Sequence, residues 1–171
     1  GYYSDSWVKM LSNVTVTKEY KNLFFMDVAY RVPDNECECE DPNDKVKETK
    51  PINLMNVKSV IGYPTNETVV HHNSHVVVRG VAWDDGHGIK DVFISTDGGV
   101  TWEPSILDED AGRYAYKAFR FSYKPTKYGK TTVMAKAVNR LGKEQPFAKD
   151  IQWNHGGYKY NGIDTVTFEV V

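Results

Sequence analysis

The sequence predicts an all-β fold of two packed antiparallel sheets over most of its length, and three observations predict it. Short runs of alternating apolar and polar residues recur at regular spacing. Turns rich in Gly, Asp and Asn separate them, and no segment carries a sustained apolar stripe of helical period. Composition agrees: 11 Tyr, 7 Phe and 4 Trp accompany many Val and Thr, the residues that fit a pleated, half-buried surface. At 171 residues the chain has room for one domain with a real core plus an appendage.

In chain order, the first feature is an alternation of Val14 and Val16 with Asn13, Thr15 and Thr17, followed by the apolar cluster Leu23-Phe24-Phe25-Met26. This stretch is too short to bury its own apolar groups, so it must pack on something. From residue 34 to residue 50 nearly every position is charged, polar or Pro without a period, which marks a surface loop or linker. Residues 75–83 then give a buried-strand run, Val76-Val77-Val78 and Val81-Ala82-Trp83, broken by Arg79-Gly80. Residues 89–95 place Val92 and Ile94 on one face, and residues 117–123 do the same with Phe119, Phe121 and Tyr123. Residues 131–138 align Val133, Ala135 and Ala137, and residues 165–171 align Val166, Phe168 and Val170. About seven short strands with such punctuation indicate an immunoglobulin-like β-sandwich.

Charge and motifs bound the function. A net charge of −2 gives no field that draws nucleic acid or anionic lipid. No apolar run approaches the roughly 20 residues of a membrane helix. The chain opens Gly1-Tyr2-Tyr3 without an initiator Met or a signal-peptide pattern, and reads as a processed product or a piece of something longer. No G-x-S-x-G, P-loop or H-E-x-x-H motif occurs. Ser95-Thr96-Asp97-Gly98-Gly99-Val100-Thr101-Trp102 fits S-x-D-x-G-x-T-W, the Asp-box of sialidases and other β-propellers. A single copy in so short a chain is read as a structural hairpin.

The metal-capable residues are also read structurally. Cys37 and Cys39 lie in one acidic stretch, Glu36 to Asp41. Two residues apart, they are not expected to bridge without strain, and no second Cys/His pair completes a metal site. His71, His72 and His75 precede a strand with no local carboxylate or Cys beside them, and an exposed turn is expected. His155 either faces a substrate pocket or caps a loop.

Taken in order, five stretches resemble one family. They are Arg79-Gly80-Val81-Ala82-Trp83, Gly86-His87-Gly88-Ile89, Val92 through Trp102, Ala135 through Pro146, and Trp153-Asn154-His155-Gly156-Gly157-Tyr158-Lys159-Tyr160-Asn161. Over residues 52–171 the set resembles the C-terminal dimerisation domain of the sulfite oxidase and sulfite dehydrogenase family, which are molybdopterin-dependent oxidoreductases. The resemblance implies the E-set type of immunoglobulin-like sandwich. Ser6-Trp7-Val8-Lys9-Met10-Leu11 is similar to the S-V-K-W-L stretch that ends that family's molybdopterin-binding domain, and Ala29-Tyr30-Arg31-Val32-Pro33 to the exit from it.

The resemblance therefore divides the chain into residues 1–33, the tail end of a molybdopterin-binding domain, residues 34–51, a polar linker, and residues 52–171, the dimerisation domain. It implies that Trp7, Val8 and Lys9 touch the pterin. A pterin cofactor carries a phosphate anion, which the point charge of Lys9 matches. It also implies a homodimer, an upstream molybdopterin domain, and a cytochrome-type electron acceptor for the parent. A bacterial periplasmic setting goes with it. The parent carries molybdenum-molybdopterin, but the family's thiolate ligand and active-site Tyr match nothing in this chain, so the chain alone is expected to retain no cofactor and to hold no complete active site. Gly156 stands where animal and plant members place an anion-binding Arg, which leaves the parent's oxygen-atom donor or acceptor open. Lys159 is a candidate for positive charge nearby. The other reading is a freestanding immunoglobulin-like binding or adhesion module, which has no need of Trp7-Val8-Lys9.

Overall fold

The computed structural model describes residues 1–171 apart from the side chain of Asp5. The chain divides into two units, Gly1–Met55 with Ile151–Tyr160, and Asn56–Asp150 with Asn161–Val171.

The first unit carries little regular structure: a 3-10 turn at Ser4–Ser6, a short helix α1 (Phe24–Asp27), and the strands β1 (Arg31–Pro33) and β2 (Thr49–Pro51). β1 and β2 pair antiparallel, with Val32 opposite Lys50. The Asp34 N–H donates to the Glu48 carbonyl at 3.0 Å, so the acidic stretch is a loop closed at its base. Three sequence expectations change here. The Val14 and Val16 alternation forms no strand, because a strand needs a partner for its ladder and these residues have none. The cluster around Phe24 and Phe25 stays more than half exposed, with the two rings meeting edge-on at 5.3 Å.

The third correction concerns the cysteines, which do bridge: Cys37 and Cys39 form a disulfide. The turn brings their Cα atoms to 5.1 Å, within the usual disulfide range of about 4.4–6.8 Å. Glu38 between them takes a left-handed φ of 54°. Asn35 clamps the turn: its Nδ2 donates to the Cys39 carbonyl at 2.9 Å and its Oδ1 accepts the Cys39 N–H at 3.2 Å. Spacing alone does not reveal a turn that depends on one left-handed residue and one side-chain clamp.

The second unit is the sandwich. Its strands are β3 (Lys58–Tyr63), β4 (Val69–Val70), β5 (Val76–Trp83), β6 (Ile89–Ser95), β7 (Glu103–Pro104), β8 (Ile106–Leu107), β9 (Lys117–Tyr123), β10 (Gly129–Asn139) and β11 (Asp164–Val170). One sheet runs β4-β11-β10-β6-β7 and the other β3-β5-β9-β8. All pairs are antiparallel except β4 with β11. The five long runs read from the sequence are β5, β6, β9, β10 and β11.

The core lies between the sheets because period-2 alternation sends one row of each strand inward. Val78 and Ala82 of β5 and Phe119 of β9 meet Val92 and Ile94 of β6, Val133, Ala135 and Ala137 of β10, and Phe168 and Val170 of β11. Phe121 and Val166, on the same inward rows, pack against this cluster while half-buried. One polar knot crosses the core. The side chain of Gln145, buried to 1% exposure, accepts from the Ser59 N–H, the Ser59 hydroxyl and the Ala137 N–H. It donates to the Gly162 and Asn161 carbonyls.

Candidate functional site

The first unit holds a cleft of about 290 Å³ lined by Tyr3, Ser4, Lys9, Tyr30, Ile52, Tyr158 and Lys159. Backbone pairing places its walls. The Tyr3 N–H donates to the Asn53 carbonyl at 3.2 Å, and the Ile52 N–H to the Tyr30 carbonyl at 2.7 Å. The Ser4–Ser6 turn then directs the chain onward, with the Trp7 N–H donating to the Ser4 carbonyl at 3.2 Å. On the other side, Asn154 builds a turn by accepting the Tyr158 N–H at 3.0 Å and donating to the Tyr158 carbonyl at 2.9 Å. Tyr30 and Lys159 both take left-handed φ, 52° and 64°, and the Tyr30 and Tyr158 rings stand 5.6 Å apart.

Of the three residues the sequence singles out, Lys9 lines the cleft, whereas Trp7 and Val8 are exposed and do not. Lys159, the candidate for positive charge nearby, lines the same cleft. Its ammonium pairs with the Glu38 carboxylate, and Lys50 lies 3.4 Å from the other oxygen of Glu38. His155 caps a loop: its Nδ1 lies 2.7 Å from Glu40 Oε1, and its backbone N–H donates to the same oxygen at 2.8 Å. That N–H, with the Val46 N–H and the imidazole, holds the Glu40 carboxyl below the usual carboxylate range.

Of the histidines before β5, His71 and His75 are exposed and His72 is half-buried. Among His71, His72 and His75, His72 stacks on Tyr128 at 4.3 Å, and its Nε2 lies 3.1 Å from the Thr126 carbonyl. Among the described residues, Asp84, Asp85 and His87 lie close enough to hold a metal ion. Asp84, however, accepts the Gly86 and Gly88 N–H groups at 3.0 Å and Asn139 at 3.2 Å, which makes it the clamp of a turn.

The Asp-box forms the hairpin between β6 and β7. Asp97 accepts from the Thr101 hydroxyl, the Thr101 and Val100 N–H groups and the Ser95 hydroxyl. Gly98 and Gly99 supply φ of 78° and 90°. Trp102 folds back to donate to the Gly99 carbonyl at 3.1 Å. Led by the Thr101 hydroxyl, these donors hold the Asp97 carboxyl down to about 2. A depressed carboxylate adds stability above its unfolded value, about 4, and loses it as pH falls through the folded one. Asp97→Ala is therefore expected to lower Tm at neutral pH, with the gap to wild type shrinking between pH 4 and pH 2. Thermal melts across that range check it, and a constant gap would refute the assignment.

Whether these residues fit a molybdopterin cofactor divides by its parts. Two lysines, a serine and three tyrosines around one cleft are a donor set that suits a phosphate. The metal end does not fit. Both cysteines are tied in the disulfide, so among the described residues no thiolate is free to bind molybdenum.

The chain thus joins an immunoglobulin-like sandwich to a second unit whose cleft is lined by two lysines, a serine and three tyrosines. Residues 49–167 match the Mo-co oxidoreductase dimerisation domain, and the chain belongs to that family. It is 28% identical over 139 residues to nitrate reductase [NADH] 2 of Nicotiana tabacum, covering 76% of this chain and 14% of the relative. It is 26% identical over 126 residues to mitochondrial sulfite oxidase of Rattus norvegicus, covering 70% of this chain and 23% of the relative. The chain thus spans less than a quarter of the length of these curated relatives. The sulfane dehydrogenase SoxCD of Paracoccus pantotrophus has a similar fold, with a TM-score of 0.69 at 22% identity over 87% of this chain and 39% of that one.

Proposed function

We propose that this chain is the C-terminal part of a molybdenum-dependent oxidoreductase resembling sulfite oxidase or sulfite dehydrogenase. On this reading it supplies homodimerisation and part of the active-site entrance. The observation that carries it is the dimerisation-domain match over residues 49–167. The same reading makes residues 1–33 the tail of a molybdopterin domain, with Trp7, Val8 and Lys9 as pterin contacts and Lys9 on the phosphate. In the parent, the molybdenum cofactor supplies the oxygen-atom chemistry. The residues of this chain bind and wall the cofactor: lysine charge in the cleft offsets phosphate charge, and the tyrosines offer ring surface and hydroxyls. A cytochrome-type electron acceptor and a periplasmic setting go with this parent.

Homodimerisation is the part the chain can be asked to do alone. A two-fold interface needs one self-complementary patch, and stable ones bury more than about 1,000 Å². Aromatic residues are enriched in such patches. Tyr116 and Tyr128 are exposed on the sandwich, and Phe93 is half-buried off the core row. Light scattering across a concentration series is expected to return twice the 19.5 kDa chain mass. A monomeric mass at high micromolar concentration would overturn the assembly role.

A further inference from the structure

We propose that the Cys37–Cys39 disulfide is a thiol-exchange site whose redox state decides whether Glu38 neutralises Lys159 at the wall of the cleft. The proposal rests on the reading of that cleft as a phosphate site, and it adds control of its charge. Four observations carry it. The bridge contains both cysteines of the chain and is half-buried, so a small thiol can reach it. The single residue inside the bridge is Glu38, held at a φ of 54°, a region a non-glycine residue seldom occupies. The Glu38 carboxylate pairs with Lys159, a cleft residue whose side chain is 12% exposed. Finally, Asn35 Oδ1 lies 3.4 Å from Cys37 Sγ, where the S–H of a reduced Cys37 finds an acceptor already in place.

The exchange balances with a small dithiol as reductant. Its thiolate attacks one sulfur of the bridge and forms a mixed disulfide. Its second thiol then closes the reductant's own disulfide, leaving Cys37 and Cys39 as thiols. Two electrons and two protons pass from the dithiol to the pair. Once the bridge opens, only the Asn35 hydrogen bonds and the ion pairs with Lys50 and Lys159 hold Glu38 in the left-handed turn, and these partly exposed, non-covalent contacts are weak against its disfavoured φ. It relaxes, its carboxylate leaves Lys159, and the cleft gains positive charge.

The test uses the full chain and two readouts. Inorganic phosphate is titrated into oxidised protein, dithiol-reduced protein, the Cys37→Ser/Cys39→Ser variant and Glu38→Gln. The reduced protein and both variants are expected to bind roughly three- to fivefold more tightly than the oxidised protein, the scale of losing one partly exposed ion pair. Independently of any ligand, acylation of Lys159 by an amine-reactive reagent is followed by mass spectrometry, with exposed Lys21 as the internal standard. The Lys159 to Lys21 ratio is expected to rise on reduction and to be already high in Glu38→Gln. Absence of phosphate binding in every state, with the labelling ratio still rising, supports the switch and removes the phosphate reading. Phosphate binding and labelling that are both blind to redox state overturn the switch. A bridge that opens only on global unfolding overturns the exchange site.

Discussion

Gln145→Ala is expected to destabilise the sandwich by about 4 kcal/mol and to lower Tm by about 10 °C or more. The expectation follows from what one side chain satisfies. Gln145 Oε1 accepts the Ser59 N–H at 2.9 Å, the Ser59 hydroxyl at 2.6 Å and the Ala137 N–H at 2.8 Å, while Nε2 donates to the Gly162 carbonyl at 2.8 Å. Alanine leaves two backbone N–H groups and a carbonyl in the interior without this partner, and each such group costs about 1–3 kcal/mol. The Ser59 hydroxyl has an alternative, since it also donates to the Ala135 carbonyl at 3.2 Å. Ser59→Ala alone is therefore expected to cost only about 1 kcal/mol. In the double variant it should cost less still, because the two side chains share one network. Denaturant unfolding of the four proteins measures the cycle. Simple additivity would show that Gln145 acts as filler rather than as a tie.

That knot also explains where reading the sequence stops. The strands β5, β6, β9, β10 and β11 were legible because their inward rows are apolar without interruption or nearly so. The strand β3 was not, since its inward row is Ser59 and Ile61, continuing from Val57 just before it, and the serine breaks the pattern. Ser59 is tolerated inside because Gln145, far along the chain, and the Ala135 carbonyl satisfy it. β4 is two residues long and pairs parallel with β11, so no local alternation announces it. The cleft was legible in part. Family resemblance pointed to Lys9 and raised Lys159 as nearby charge, but that both line one cleft depends on the Asn154 turn and on left-handed Lys159. The Cys37–Cys39 bridge was hidden for a related reason: it turns on Glu38 adopting a conformation that composition disfavours.

Gly80 is the second position where a small change should have a large effect. In the sequence it looks like an interruption of the β5 apolar run. In the fold, a Cβ added there would lie 2.1 Å from the Val60 carbonyl oxygen and 2.4 Å from Cζ of Phe119. Gly80 sits opposite Ile61 on β3 and opposite Phe119 on β9, so the glycine lets a neighbouring backbone and a core ring close over it. Gly80→Ala is expected to cost about 3 kcal/mol, the upper part of the overpacking range, because a backbone atom must move as well as a ring. Gly80→Val should cost more, with β3 leaving its ladder on β5. A second substitution separates the two clashes. Phe119→Leu shortens the ring and costs stability by itself, but in the Gly80→Ala background it is expected to cost less than in wild type. Recovery should stay incomplete, since the Val60 carbonyl remains in the way. Unfolding free energies of Gly80→Ala, Phe119→Leu and the pair decide it. An additive pair would mean that the ring of Phe119 does not rest on Gly80, and full recovery would mean that the β3 backbone yields freely.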